Sequence, residues 1–266
     1  MKNKDYINVN RESWNQKVDY HVKSDFYEHD LFLGGKSSLN DIELELLGDV
    51  KAKKILHLQC HFGQDTLSLA RLGAVVTGVD LSDKAIDEAR KSNEILGLNA
   101  KFICCDIYDL PNHLTDQFDI IFTSYGVIGW LPDMDKWAKI INRYLKPGGS
   151  LLLVEFHPIV WMFDDKFESV EYSYFNKEAI KEEIEGSYAD RGADLKLKYI
   201  SWNHDLSEVI MALINNGLAI NNFKEYDFSP YNCFLAMKRI AERKYQIEKL
   251  ANKIPLIYSI LAKKAE

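Results

Sequence analysis

The sequence predicts an α/β fold, a mostly parallel sheet with helices on both of its faces. Two observations carry the prediction. Between residues 53 and 156, short apolar runs rich in β-branched residues alternate with segments of helical periodicity. The links between them are short, as β-α units require. Right-handed crossovers then place every strand's C-terminal end on one edge of the sheet, where ligands bind in such folds.

The elements follow in order. Trp14, Val18, Val22 and Phe26 recur at four-residue spacing, which predicts an amphipathic helix within an N-terminal cover spanning residues 1–50. KKILHL (53–58) is the first strand, and GQDTLSLARLG after it reads as a helix. VVTGVD (75–80) is the second strand, with Ser82 placed to cap the next helix. AKFICC (100–105) and QFDIIFTS (117–124) are the third and fourth. Asp133 can cap a helix whose Met134, Trp137, Ile140, Ile141 and Tyr144 share one face. Pro147, Gly148 and Gly149 stop that helix, and SLLLVEF (150–156) is the fifth strand. Residues 158–196 are rich in aromatics and acids and show no clear period; they read as an insertion. Asp205 and Glu208 have capping-box spacing before an apolar helix that ends at Gly217. LAINNFKEY (218–226) and IPLIYSILAKK (254–264) complete the strands.

At 266 residues the chain can bury a substantial core, and a single domain over 1–266 is expected. Lys and Arg number 33 against 40 Asp and Glu, a net charge of −7 that speaks against a nucleic-acid partner. The polar start offers no secretory signal, and no apolar run nears the roughly 20 residues that span a bilayer. A cytoplasmic protein without membrane partner is expected, and its four cysteines are read as reduced thiols. His57, Cys60 and His61 cluster in sequence, but a fourth ligand is missing, so no metal site is assigned. His57 is read instead as a core histidine with a hydrogen-bond partner.

Strand ends carry the chemistry. Asp80 closes the second strand, where one carboxylate can accept from both hydroxyls of a ribose. Asp106 follows the third strand and suits the exocyclic amine of adenine, with Leu81 and Ile107 beside it to sandwich a flat base. Together they favour an adenosyl ligand. A dinucleotide site would want G-x-G-x-x-G in the first loop, and LQCHFGQ (58–64) supplies only Gly63. This weakens an NAD(P)-dependent oxidoreductase, kept as one alternative; a catalytically silent adenosyl-binding protein is the other.

ILHLQCHFG, VTGVD, FICCD, FDIIFTSYG and LKPGGSLLLVEF resemble the ordered motifs of class I S-adenosylmethionine-dependent methyltransferases. LHLQCHFGQDTLSLARLGA with WLPDMDKWAKIINRYLKPGG and WNHDL is similar to a group of bacterial members. The resemblance implies a Rossmann-like seven-stranded sheet whose last strand is antiparallel. It also implies S-adenosyl-L-methionine above the first loop, against Gln59, Cys60, Gly63, Asp80, Leu81, Asp106, Ile107 and Ser124. The first loop departs from the family's D-x-G-x-G pattern: His57 replaces the acid, and Gln59 and His61 replace two glycines. Loop carbonyls, Ser124 or the N-terminal segment are the candidates for the ammonium contact that the acid would support.

TSYG (123–126) lacks the [DN]-P-P-[YFW] element of enzymes that methylate base amines, so a small-molecule acceptor is expected. Residues 158–196 and the N-terminal helix are expected to form a lid, because an insertion after the fifth strand emerges at the ligand edge. Trp14, Phe26, Tyr125 and Trp161 are assigned to the acceptor; the same aromatics would equally suit a homodimer interface. His157, at the end of the fifth strand, and His204, in WNHDL, are the candidates for a general base.

Overall fold

The computed structural model describes residues 5–266. Three helices come first: α1 (Asp5–Lys23), α2 (His29–Leu33) and α3 (Asp41–Leu47). The alternating part follows as β1 (Lys54–Leu58), α4 (Gln64–Arg71), β2 (Val75–Asp80), α5 (Asp83–Ile95), β3 (Lys101–Cys104), β4 (Phe118–Ser124), α6 (Met134–Tyr144) and β5 (Leu145–Phe156). Beyond it lie β6 (Ile180–Glu185), β7 (Lys196–Ser201), α7 (Leu206–Asn215), β8 (Leu218–Tyr226), β9 (Met237–Ala241), β10 (Lys244–Ile247) and β11 (Ile257–Lys264).

Seven strands form one sheet in the order β3-β2-β1-β4-β5-β11-β8. Neighbours from β3 to β5 pair in parallel, and β11 runs antiparallel to both β5 and β8. The last strand is thus the reversed one, as the sequence motifs imply. Its central strands are apolar on both faces because helices cover both. On one side Leu56, Ile121, Leu151 and Leu153 pack with Trp137, Ile141 and Leu213 of α6 and α7. On the other, Ile55, Phe122, Leu152 and Val154 pack with Leu39, Ile42 and Leu69. The predicted caps close their helices: Ser82, Asp133 and Asp205 each accept a backbone N–H three residues on, at 3.1, 3.0 and 2.9 Å.

Three sequence expectations are corrected. Helix α1 ends at Lys23, so Phe26 lies in the turn beyond it rather than on its apolar face. Pro147–Gly149 falls inside β5, not between helix and strand. The β4–β5 register shifts there, and a Cβ on Gly149 would sit 3.0 Å from the Lys146 carbonyl oxygen, which only glycine avoids. Third, part of 158–196 is regular: β6 and β7 pair as an antiparallel hairpin that runs on to Ser201. A second hairpin, β9–β10, occupies a stretch for which the sequence suggested no element.

Candidate functional site

The C-terminal ends of β1, β2, β3 and β4 open into a cavity of about 1870 Å³. Its floor is the loop after β1. Gln59 and His61 hold φ of +56° and +52°, so both keep the left-handed backbone that glycine would adopt more easily. For residues with a Cβ this conformation costs roughly 1–2 kcal/mol each. Asp80 helps hold the loop: its Oδ2 accepts the His61 N–H at 2.8 Å and its Oδ1 accepts the Ser82 N–H at 2.8 Å. Each oxygen keeps a lone pair for a further donor. Gly63 retains its glycine because an added Cβ would lie 2.8 Å from the Phe102 ring and 2.9 Å from Ala89 Cβ.

Every residue assigned to the cofactor from the sequence lines this cavity: Gln59, Cys60, Gly63, Asp80, Leu81, Asp106, Ile107 and Ser124. Burial raises the Asp80 carboxyl above its ordinary range, against the backbone N–H groups that lower it. Asp106 caps a short 3-10 turn, accepting the Tyr108 N–H at 3.0 Å, and burial raises it too. Gln59 donates to the Val127 carbonyl at 2.7 Å, while its Oε1 is buried with no partner among the described residues. His57 has its partner in the core, Nδ1 lying 2.8 Å from Thr66 Oγ1.

Trp14, Phe26, Tyr125 and Trp161 also line the cavity. The two candidate bases are placed differently. His157 is absent from the lining; its Nδ1 accepts the Ile159 N–H at 3.2 Å, and its Nε2 lies 3.0 Å from Glu225 on β8. A residue that ends β5 can point to either side of the sheet, and this one turns toward the β8 edge. His204 reaches the cavity wall, but its Nε2 donates to the Leu131 carbonyl at 2.7 Å and its Nδ1 faces Glu208 at 3.2 Å. Both of its ring nitrogens are thus taken up by partners within the fold.

Sequence reading missed a cluster that joins cover, loop and insertion. His21 Nδ1 of α1 lies 3.1 Å from His61 Nε2, and His21 Nε2 lies 3.0 Å from Ser187 Oγ. The His21, His61 and Tyr27 rings stack at centroid distances of 5.2 and 5.5 Å. Burial, with mutual repulsion and the charge of Lys17, pushes His21 down to about 2; burial and Lys17 push His61 down to about 3. Both are neutral at physiological pH. Their contacts span 40 and 166 residues of chain, and no periodicity announces such pairs. Lys17, which is buried, and Asp65, which is half-buried, line the cavity as well.

Residues 55–149 match the family described as methyltransferase domain. The chain is 34% identical over 135 residues to an uncharacterised methyltransferase of Synechocystis sp., covering 50% of this chain and 61% of that one. It is 37% identical over 102 residues to the ubiquinone biosynthesis O-methyltransferase of Coxiella burnetii, covering 38% and 43%. Both matches thus span less than two thirds of the relative's length. The fold is shared across whole chains with geranyl diphosphate C-methyltransferase from Streptomyces coelicolor, at a TM-score of 0.62 and 14% identity, covering 100% of each.

Proposed function

We propose, from the match of residues 55–149 to a methyltransferase domain family, that the protein is a class I S-adenosylmethionine-dependent methyltransferase that binds S-adenosyl-L-methionine and methylates a small-molecule acceptor. The observation that carries this reading is the pair Asp80 and Asp106, half-buried at adjacent strand ends beside a loop that keeps glycine's backbone at Gln59 and His61. The residues present suit the cofactor. Asp80 takes the two ribose hydroxyls on its remaining lone pairs, and Asp106 takes the adenine amine between Leu81 and Ile107. Gln59 Oε1, a buried acceptor without a partner among the described residues, is available to the amino-acid end.

The cofactor brings a methyl group already activated on a sulfonium, so the protein's part is alignment and exclusion of water. The cavity exceeds the 300–1,000 Å³ usual for one ligand, which leaves space for an acceptor beside the cofactor. Trp14 and Trp130, 5.4 Å apart and edge to face, line the cavity, as do Trp161 and Phe26. Residues 158–196, with the rest of the β6–β7 hairpin and α1, act as the lid: Asn10 of α1 and Ile200 of β7 exchange hydrogen bonds at 2.8 and 2.9 Å. The net charge of −7 and the enclosed, aromatic site favour a small organic acceptor over a nucleic acid.

Calorimetry with S-adenosylhomocysteine tests the reading. The parent should bind it, and Asp80→Ala should weaken binding by about 1–3 kcal/mol, the cost of leaving buried hydroxyls unpaired. No binding by the parent, or equal affinity in the variant, overturns it.

A further inference from the structure

Lys17 is the buried cation of this site. It sits on the inner face of α1, with only 3% of its surface exposed, and lines the cavity. Its Nζ lies 4.2 Å from the Trp14 ring centroid, 5.6 Å from that of Trp130 and 5.9 Å from that of Tyr199. These three rings come from the helical cover, the turn after β4 and the hairpin strand β7. Among the described residues, no carboxylate lies within 4 Å of it and no side-chain or carbonyl oxygen accepts from it.

Ring faces attract an ammonium, but they leave its three N–H donors without acceptors. A buried lysine is ordinarily paired, since an isolated charge out of water is costly. Burial and the Lys17 charge together hold His21 and His61 down, so neither supplies a counter-charge. Burial lowers the Lys17 ammonium to about 8, so most of it keeps its charge at neutral pH. A positive charge is therefore held in place at the cavity wall with its donors unspent.

We propose that Lys17 is the oxyanion seat of the cavity, taking the carboxylate of a bound ligand between Trp14, Trp130 and Tyr199. The inference rests on the cofactor reading above, because two carboxylates can reach such a seat: that of the cofactor's amino-acid end and that of an acidic acceptor. In either case the lid and the charge act together. Tyr199 completes the ring wall only while β7 lies against α1, so the ammonium is enclosed by the same contact that closes the site.

Calorimetry on the full chain separates the two sources. The probes are S-adenosylhomocysteine, its decarboxylated analogue S-adenosyl-3-thiopropylamine, and benzoate with and without saturating S-adenosylhomocysteine. If the cofactor supplies the carboxylate, the parent prefers S-adenosylhomocysteine over the analogue by about tenfold or more. Lys17→Met then abolishes the preference while leaving affinity for the analogue unchanged. If the acceptor supplies it, Lys17→Met leaves S-adenosylhomocysteine affinity unchanged but removes benzoate binding that the parent shows. Lys17→Arg should retain part of either effect. Should Lys17→Met not fold, Lys17→Gln enters the same comparisons. A parent and variant that differ in neither contrast overturn the seat. A parent that binds neither adenosine compound overturns the cofactor reading instead, and benzoate on the free protein still judges Lys17.

Discussion

Asp80 and Asp106 were legible because a strand's end is a local property of sequence, and an acid there has one edge of the sheet to face. Glu43 was not. It lies in α3 with 0% of its surface exposed, and Asn40 Nδ2 donates to it at 3.1 Å. Burial, reinforced by Asp65, pushes its carboxyl from 4.5 up to about 8. The folded state therefore holds a proton that the unfolded state has lost between these two values, and stability falls as pH rises through that window. Above about pH 8 both states are ionised and the penalty is constant. Glu43→Gln should abolish this dependence, and its melting temperature should exceed the parent's by a margin that widens from about pH 5 to pH 8. Parallel melting curves against pH would show that Glu43 is ionised in the fold. The partners of His157 and His204 were no more legible. A histidine's neighbours, not its place in the chain, decide which of its nitrogens is free.

Among the elements, the alternating strands and helices from 53 to 156 could be read because each carries its own period. The loop after β1 shows how far that legibility extends. Its glycines are largely gone, yet Gln59, His61 and Gly63 all keep positive φ, so the conformation is retained by its surroundings. Gly63→Ala would add both the left-handed strain and a contact at 2.8 Å with Phe102. Together these should cost about 2–4 kcal/mol, read as a lower midpoint in urea. Wild-type stability in that variant would mean that α5 and β3 yield more than close packing allows. The β6–β7 hairpin escaped notice although Ile180, Ile184, Leu197 and Tyr199 alternate with Glu and Lys. Two short strands flanked by aromatic, acidic stretches give too little period to separate from coil.

For the whole molecule, the cavity exists only where three distant segments meet: the sheet edge, α1 and the chain after β5. A two-stranded hairpin is marginal by itself, so β6–β7 should open more easily than the central strands. Hydrogen exchange should find residues 180–201 fast in the free protein and slowed by S-adenosylhomocysteine, with β1, β4 and β5 protected throughout. Protection of the hairpin that does not change on binding would remove its role as a lid. The sequence by itself determined the α/β class and the sheet edge at which Asp80 and Asp106 come to line the cavity. These rest on periodicity and strand ends, which neighbours along the chain decide. Only the tertiary structure decided that His21 meets His61, that Lys17 is enclosed by Trp14, Trp130 and Tyr199, and that His157 faces away. Contacts across tens to hundreds of residues depend on how helices and hairpins pack, and packing leaves no period in the sequence.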